Sequence, residues 1–169
     1  MNEITQDRVP RESQTASGRR GGFVPILKGA YAPGEEHHID ALQHSWSQKL
    51  MASIPELEDA RLFDVLLCTR EILLNALKHG CQQHQGSVAT LAISWNSSAR
   101  IIRVTIEDPG QGHAFDRKQH AESEDAMLTA QHRGLLVAVK HATRFETDGM
   151  GSWVEMDFSF EGVTRALAS

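Results

Sequence analysis

The run ELEDARLFDVLLCTREILLNALKHG, residues 56–80, limits the fold more than any other stretch of the chain. Leu62, Leu66, Leu73 and Leu77 recur at about 100° per residue, which places them on one face of a long helix. A helix with one apolar face must bury that face against another layer. Gly80 stands where a helix C-cap is expected. On the opposite side, Glu71 and Asn75 are four residues apart and so one turn apart, with Lys78 close behind. That polar stripe either faces solvent or lines a site. If it lines a site, Glu71 offers a carboxylate that can take a proton from a hydroxyl or water. Asn75 offers a carbonyl oxygen to Mg²⁺, an ion that takes few protein ligands and fills its shell with phosphates and water.

The other segments give this helix its partners. FVPILKGAY (23–31) predicts a first strand, with Pro25 confining it to a sheet edge. HIDALQHSWSQKLMAS (38–53) puts Ile39, Leu42, Trp46 and Leu50 at helical spacing, and Pro55 ends that helix. Its apolar face serves either the core or a homodimer interface. SVATLAISWN (87–96) and RIIRVTIED (100–108) alternate as strands, joined by NSSA as a hairpin turn. Residues 113–131 are polar, with an acidic cluster at Glu122, Glu124 and Asp125; connections this long are often lids or binding segments. RGLLVAVKHA (133–142) predicts a short apolar helix, and TRFETDGMGSWVEMDFSF (143–160) a hairpin turning at 149–151. Strands and helices mix without regular βαβ alternation, so the expectation is an α/β (α+β) two-layer sandwich with helices on one face of a sheet.

Composition bounds the function. The 169 residues suit one domain, read as 23–165 after a polar 1–22 tail that cannot bury enough apolar surface to order itself. A net charge of −5 argues against nucleic acid as the main partner. The first residues hold no apolar run, so no signal peptide is expected, and no stretch approaches the roughly 18 apolar residues of a membrane span. Cys68 and Cys81 form no CxxC pair, which fits a reducing cytoplasm. The nine histidines form no metal-ligand motif.

Three further motifs could carry chemistry. In IEDPGQG, Pro109-Gly110 suits a type II turn, but that does not explain a carboxylate at the end of a strand. Asp108 accepts hydrogen bonds only, so it could take one from adenine's amino group and reject guanine's carbonyl. In HRGLL, Gly134 opens a helix whose free N–H groups suit phosphate oxygens, or it merely starts the helix. In GMGSWVEM, Ser152 either bonds Asp108 or a water beside the base, or is plain turn chemistry.

Taken in order, E-x-x-x-N-A-x-x-H-G, D-x-G-x-G, a lid, R-G-L and G-S resemble the ATPase domain of the histidine-kinase-like superfamily over residues 35–160. A chain of this size is most similar to the anti-sigma-factor serine kinases of bacterial partner-switching systems. The resemblance implies a mixed, mostly antiparallel sheet with helices on one face, and ATP with Mg²⁺ as cofactors. It implies Glu71 as the base that activates an acceptor hydroxyl and Asn75 as the Mg²⁺ ligand. Asp108 would read adenine, with Gly110 and Gly112 shaping the pocket. His79, Arg133, Gly134, Leu135, Gly151 and Ser152 would complete the nucleotide site, Ser152 standing where the family usually has Thr. The implied reaction moves a phosphoryl group from ATP to a serine or threonine of an anti-anti-sigma antagonist protein. The implied binding activity sequesters a sigma factor or another client.

The chain departs from the family pattern at the end of the lid. The usual glycine pair is His132-Arg133-Gly134, and no glycine lies between His113 and Arg133, which implies a stiffer or differently shaped lid. The alternative reading is therefore a non-catalytic partner-switch module of the same fold, with or without nucleotide. A detached domain of a two-component histidine kinase is disfavoured, because no phosphoacceptor-helix signature precedes the motifs.

Overall fold

The computed structural model describes residues 22–81, 86–110, 130–148 and 152–160. Five strands, β1 (Val24–Tyr31), β2 (Ala89–Asn96), β3 (Ile101–Glu107), β4 (Arg144–Thr147) and β5 (Trp153–Ser159), form one sheet in the order β1-β2-β3-β5-β4. All four pairings are antiparallel. Pro25 does sit on an edge strand, and the register slips between Pro25 and Leu27, where a ladder donor is missing.

The alternation of β2, β3 and β5 builds one buried face. Leu91, Ile106 and Val154 lie side by side across the three strands, followed by Ile93, Val104 and Met156, then Trp95, Ile102 and Phe158. None of the nine exceeds 9% exposure, so this face is the core wall. Helices α1 (Ile39–Ser53), α2 (Asp59–Asn75) and α3 (Ala130–His141) cover it. Leu62, Leu66, Leu73 and Leu77 are all buried, as their spacing predicts. The apolar face of α1 belongs to the core of the single chain: Ile39, Trp46 and Leu50 are buried, and Trp46 Nε1 donates to the Tyr31 hydroxyl of β1 at 3.1 Å.

Two helix boundaries differ from the sequence expectation. Residues 54–58 are not helical; the Leu57 N–H bonds the Ile54 carbonyl at 3.0 Å in a turn around Pro55, and α2 begins at Asp59. Helix α3 begins three residues earlier than 133, at Ala130. Histidine at 132, where the family pattern has glycine, spares the helix about 1 kcal/mol of glycine's backbone entropy, so the helix propagates back through that position. Residues 161–169, the 1–21 stretch and most of the 113–131 lid lie outside the described residues.

Candidate functional site

The α2 helix does not end in an ordinary cap. Residues Ala76–Gly80 form a π turn, closed by the Cys81 N–H on the Ala76 carbonyl at 2.9 Å. One extra residue enters the turn, and such insertions recur at functional sites because they re-aim the backbone. Gly80 is buried and has no positive φ, so the left-handed C-cap expected there is absent. The reason for glycine is instead steric. A Cβ on Gly80 would collide with the Asp108 carboxylate, which rests directly on the Gly80 backbone.

Asp108 follows the last residue of β3. Its N–H donates to the Ser152 carbonyl at 2.9 Å, which carries the β3–β5 ladder one residue further. Its Oδ1 accepts the Gly110 N–H at 2.8 Å, forming an Asx turn. Gly110 has no positive φ, so the type II turn predicted at Pro109-Gly110 does not form; the side chain of Asp108 closes the turn in its place. A Cβ on Gly110 would lie 2.8 Å from both Asp108 Oδ1 and Gly80 Cα. Two glycines thus let backbone approach Asp108 closely, with Oδ1 engaged by the Gly110 N–H. Burial raises the Asp108 carboxyl above its ordinary value; the Gly110 N–H opposes this, while the charges of Asp148 and Glu107 add to it.

At the other end of the stripe, α3 crosses α2 at Gly134. A Cβ at 134 would lie 2.8 Å from Asn75 Nδ2, 3.3 Å from Glu71 Cβ and 3.4 Å from Glu71 Oε2. Glu71 and Asn75 are half-buried and converge on that one point, so their stripe is not a solvated face. The two helices are tied together further along by His141 of α3, whose Nδ1 bonds Asp64 Oδ1 of α2 at 2.8 Å. Glu71 and Asn75 thus sit on α2 beside Gly134, and the π turn at the end of α2 brings Gly80 against Asp108 and Gly110.

The family model of the histidine kinase-like ATPase domain matches residues 32–158. The chain belongs to this family. No curated protein matches the chain at a significant level. Domains of this family bind ATP, usually with Mg²⁺, for phosphotransfer or hydrolysis.

In this histidine kinase-like ATPase domain, Glu71 and Asn75 meet Gly134, and Asp108 meets Gly80 and Gly110; the other motif residues are placed differently. His79 lies largely exposed on the π turn; its partial desolvation and the Lys78 charge lower its pKa below the usual histidine value. Ser152 stands across the ladder from Asp108, but its hydroxyl does not bond Asp108: Oγ donates to Asp148 Oδ2 at 2.5 Å. Gly134 is the fifth residue of α3, so its N–H is not one of the unused donors of the helix N-terminus. What glycine does there is admit α2. Leu135 is 5% exposed and packs in the core. Arg133 lies within α3, while its side chain, Gly112 and Gly151 lie outside the described residues.

The donor set fits the family's cofactors. The Asp108 carboxylate, which accepts hydrogen bonds only, suits an amino group such as the one adenine carries. Among the described residues, no group of three or more His, Cys, Asp or Glu could hold a metal. The Asn75 amide oxygen suits Mg²⁺ bound chiefly through phosphates and water, not a dedicated cage. Gly80 and Asp148 are the residues that the motif reading did not assign to the site. Gly80 closes the N-A-x-x-H-G motif and was legible only as a cap; Asp148 had no signal beyond its place beside a glycine turn. No described helix is long and apolar enough to cross a membrane.

Proposed function

We propose that this domain is an ATP-dependent protein serine/threonine kinase of the anti-sigma-factor type. It would phosphorylate a serine or threonine on an antagonist protein and sequester a sigma factor or another client through the same domain. The observation that carries this reading is the position of Glu71, half-buried one turn from Asn75 and held against α3 at Gly134. A pure nucleotide-binding module has no need of a carboxylate beside its Mg²⁺ ligand. Asn75 would hold Mg²⁺ by its side-chain oxygen, and the ion would supply positive charge to the phosphates. Asp108 would take a hydrogen bond from the adenine amino group on Oδ2. Glu71 would accept the proton of the attacking hydroxyl as its oxygen bonds to the γ-phosphorus and the bond to ADP breaks. Phosphoryl transfer asks little more of a protein than such positioning and electrostatic stabilisation.

The close approach of α3 to Asn75 and Glu71 also favours a second reading, a partner-switch module that binds its client without transfer. Calorimetric titration with ATP and GTP, with and without Mg²⁺, tests the site itself. The expected outcome is Mg²⁺-dependent binding that prefers ATP and weakens in Asn75→Ala. In Glu71→Ala, transfer from labelled ATP to an antagonist protein should fall about 10²–10⁴-fold while ATP binding persists. Transfer unchanged in that variant would remove Glu71 as the base.

A further inference from the structure

We infer that Asp148 is a positioning residue that sets the hydrogen-bond polarity of the base end of this site, and so its choice between adenine and guanine. The inference rests on the ATP-binding reading above. Asp148 follows β4, directly across the neck of the β4–β5 hairpin from Ser152 and Trp153. Its N–H donates to the Trp153 carbonyl at 3.2 Å. Its Oδ1 accepts the N–H of Ser152 at 3.0 Å and that of Trp153 at 3.3 Å, and its Oδ2 accepts the Ser152 hydroxyl at 2.5 Å. One carboxylate thus fixes the start of β5 and accepts the hydrogen bond that the Ser152 hydroxyl donates.

The register shows what this does to Asp108. Ile106 pairs with Val154 and Glu107 with Trp153, so Asp108 stands opposite Ser152, on the same side of the sheet as the helices. The Asp108 N–H bond to the Ser152 carbonyl confirms the pairing. Side chains directly opposite in an antiparallel ladder are neighbours, with Cβ atoms about 4.5–5.5 Å apart. A serine hydroxyl has one proton and two lone pairs. With that proton committed to Asp148, Ser152 Oγ can only accept, as can Asp108 Oδ2. Two acceptors side by side suit an amino group with two hydrogens to give, directly or through one water. They repel a carbonyl oxygen. Without Asp148, the Ser152 hydroxyl is free to turn and donate, and a guanine carbonyl then finds a partner. The Asp148 charge also acts on Asp108 alongside Glu107 of β3, with the Cys81 thiol the facing group of the π turn.

The test compares ATP and GTP affinities by calorimetry in Mg²⁺ for wild type, Asp148→Asn, Ser152→Ala and the double variant. Asn at 148 can donate to Ser152 Oγ, which releases the hydroxyl proton. The ATP-to-GTP affinity ratio should fall about tenfold, the worth of one hydrogen bond to the base. In the Ser152→Ala background, Asp148→Asn should lower the ratio no further, because the group it orients is gone. A purely structural Asp148 would weaken both nucleotides alike, leave the ratio unchanged and overturn the inference while the ATP-binding reading stands. Wild type that binds no adenine nucleotide would overturn both. If Asp148→Asn does not fold, Ser152→Ala and Ser152→Thr decide: the ratio should fall with Ala and hold with Thr, and a ratio kept by Ala overturns the inference.

Discussion

Asp108 is under opposed demands. The proposed adenine contact needs its charge, yet burial raises its pKa above the ordinary 3.8, with the neighbouring Asp148 and Glu107 adding to the shift. Folding therefore favours the protonated form. The group costs nothing below its unfolded pKa, and the cost grows as pH rises through the folded value, then stays constant. Asp108→Asn keeps the shape and the acceptor for the Gly110 N–H but removes the charge. It should raise the melting temperature at about pH 7 and leave it unchanged at about pH 3, while ATP binding is lost. A melting temperature that drops at neutral pH would contradict the assigned sign. Gly80→Ala acts on the same carboxylate from below. Its Cβ must displace Asp108 or lift the π turn, so we expect a loss of about 1–3 kcal/mol in chemical denaturation and a fall in ATP affinity of at least about tenfold. The sequence announced Asp108 and Gly80 but gave the wrong reason for the glycine. A C-cap is a local device that a single chain segment can reveal, whereas contact with a carboxylate 28 positions away is not written in either segment.

The helices show the same limit at the scale of elements. The stripe of leucines in α2 was legible because period 3.6 is local, and burial of all four follows from it. The π turn at its end was not, because an i to i−5 bond wins only when the next element makes the shifted backbone worthwhile. Likewise α3 runs back to Ala130 because residues 130–133 tolerate helix, a matter of propensity that the polar composition of the preceding segment obscured. Gly134 separates propensity from packing. Alanine there gains about 1 kcal/mol of helix propensity. Its Cβ meets Asn75 Nδ2 at 2.8 Å, the end of a side chain that can swing away, and Glu71 Cβ at only 3.3 Å, a mild overlap. The gain and the strain are of similar size, so Gly134→Ala should change the melting temperature by only a few degrees. Asn75 must leave its rotamer, however, and Mg²⁺-ATP affinity should fall about tenfold. Calorimetry beside thermal melts reads both. A variant that binds Mg²⁺-ATP as tightly as wild type would remove Gly134 and the Asn75 rotamer from the site.

Across the whole molecule, the sheet has two unlike faces: the apolar core and the proposed site share one, and an ion network occupies the other. The helices, with Glu71 and Asn75 on α2, and the Asp108 end of β3 belong to the inner face. Among the described residues, the outer face carries charged side chains and no helix. Arg103 grips Asp157 through two bonds, Nε to Oδ1 at 2.8 Å and a second to Oδ2 at 2.9 Å. Arg144 reaches Glu155 at 2.8 Å and Asp157 at 3.2 Å, and it also pairs with Glu146. The Phe23 ring lies 4.3 Å below the Arg103 guanidinium. The Asp157 side chain is only 9% exposed and Arg103 is 30% exposed, so this pair lies between a surface ion pair worth less than about 1 kcal/mol and a buried one whose breakage costs about 3–5 kcal/mol. Arg103→Ala leaves Arg144 as the remaining cation, and the expected loss is about 1–3 kcal/mol by denaturant titration. Because the lost contacts lie on the face away from Asp108, the ATP dissociation constant should not change. Saturating ATP should then restore the same increment of stability to wild type and variant, about 2.7 kcal/mol at a hundredfold excess over the dissociation constant. A smaller increment in Arg103→Ala would mean that the two faces are coupled through β3, and that the ion network is part of the site.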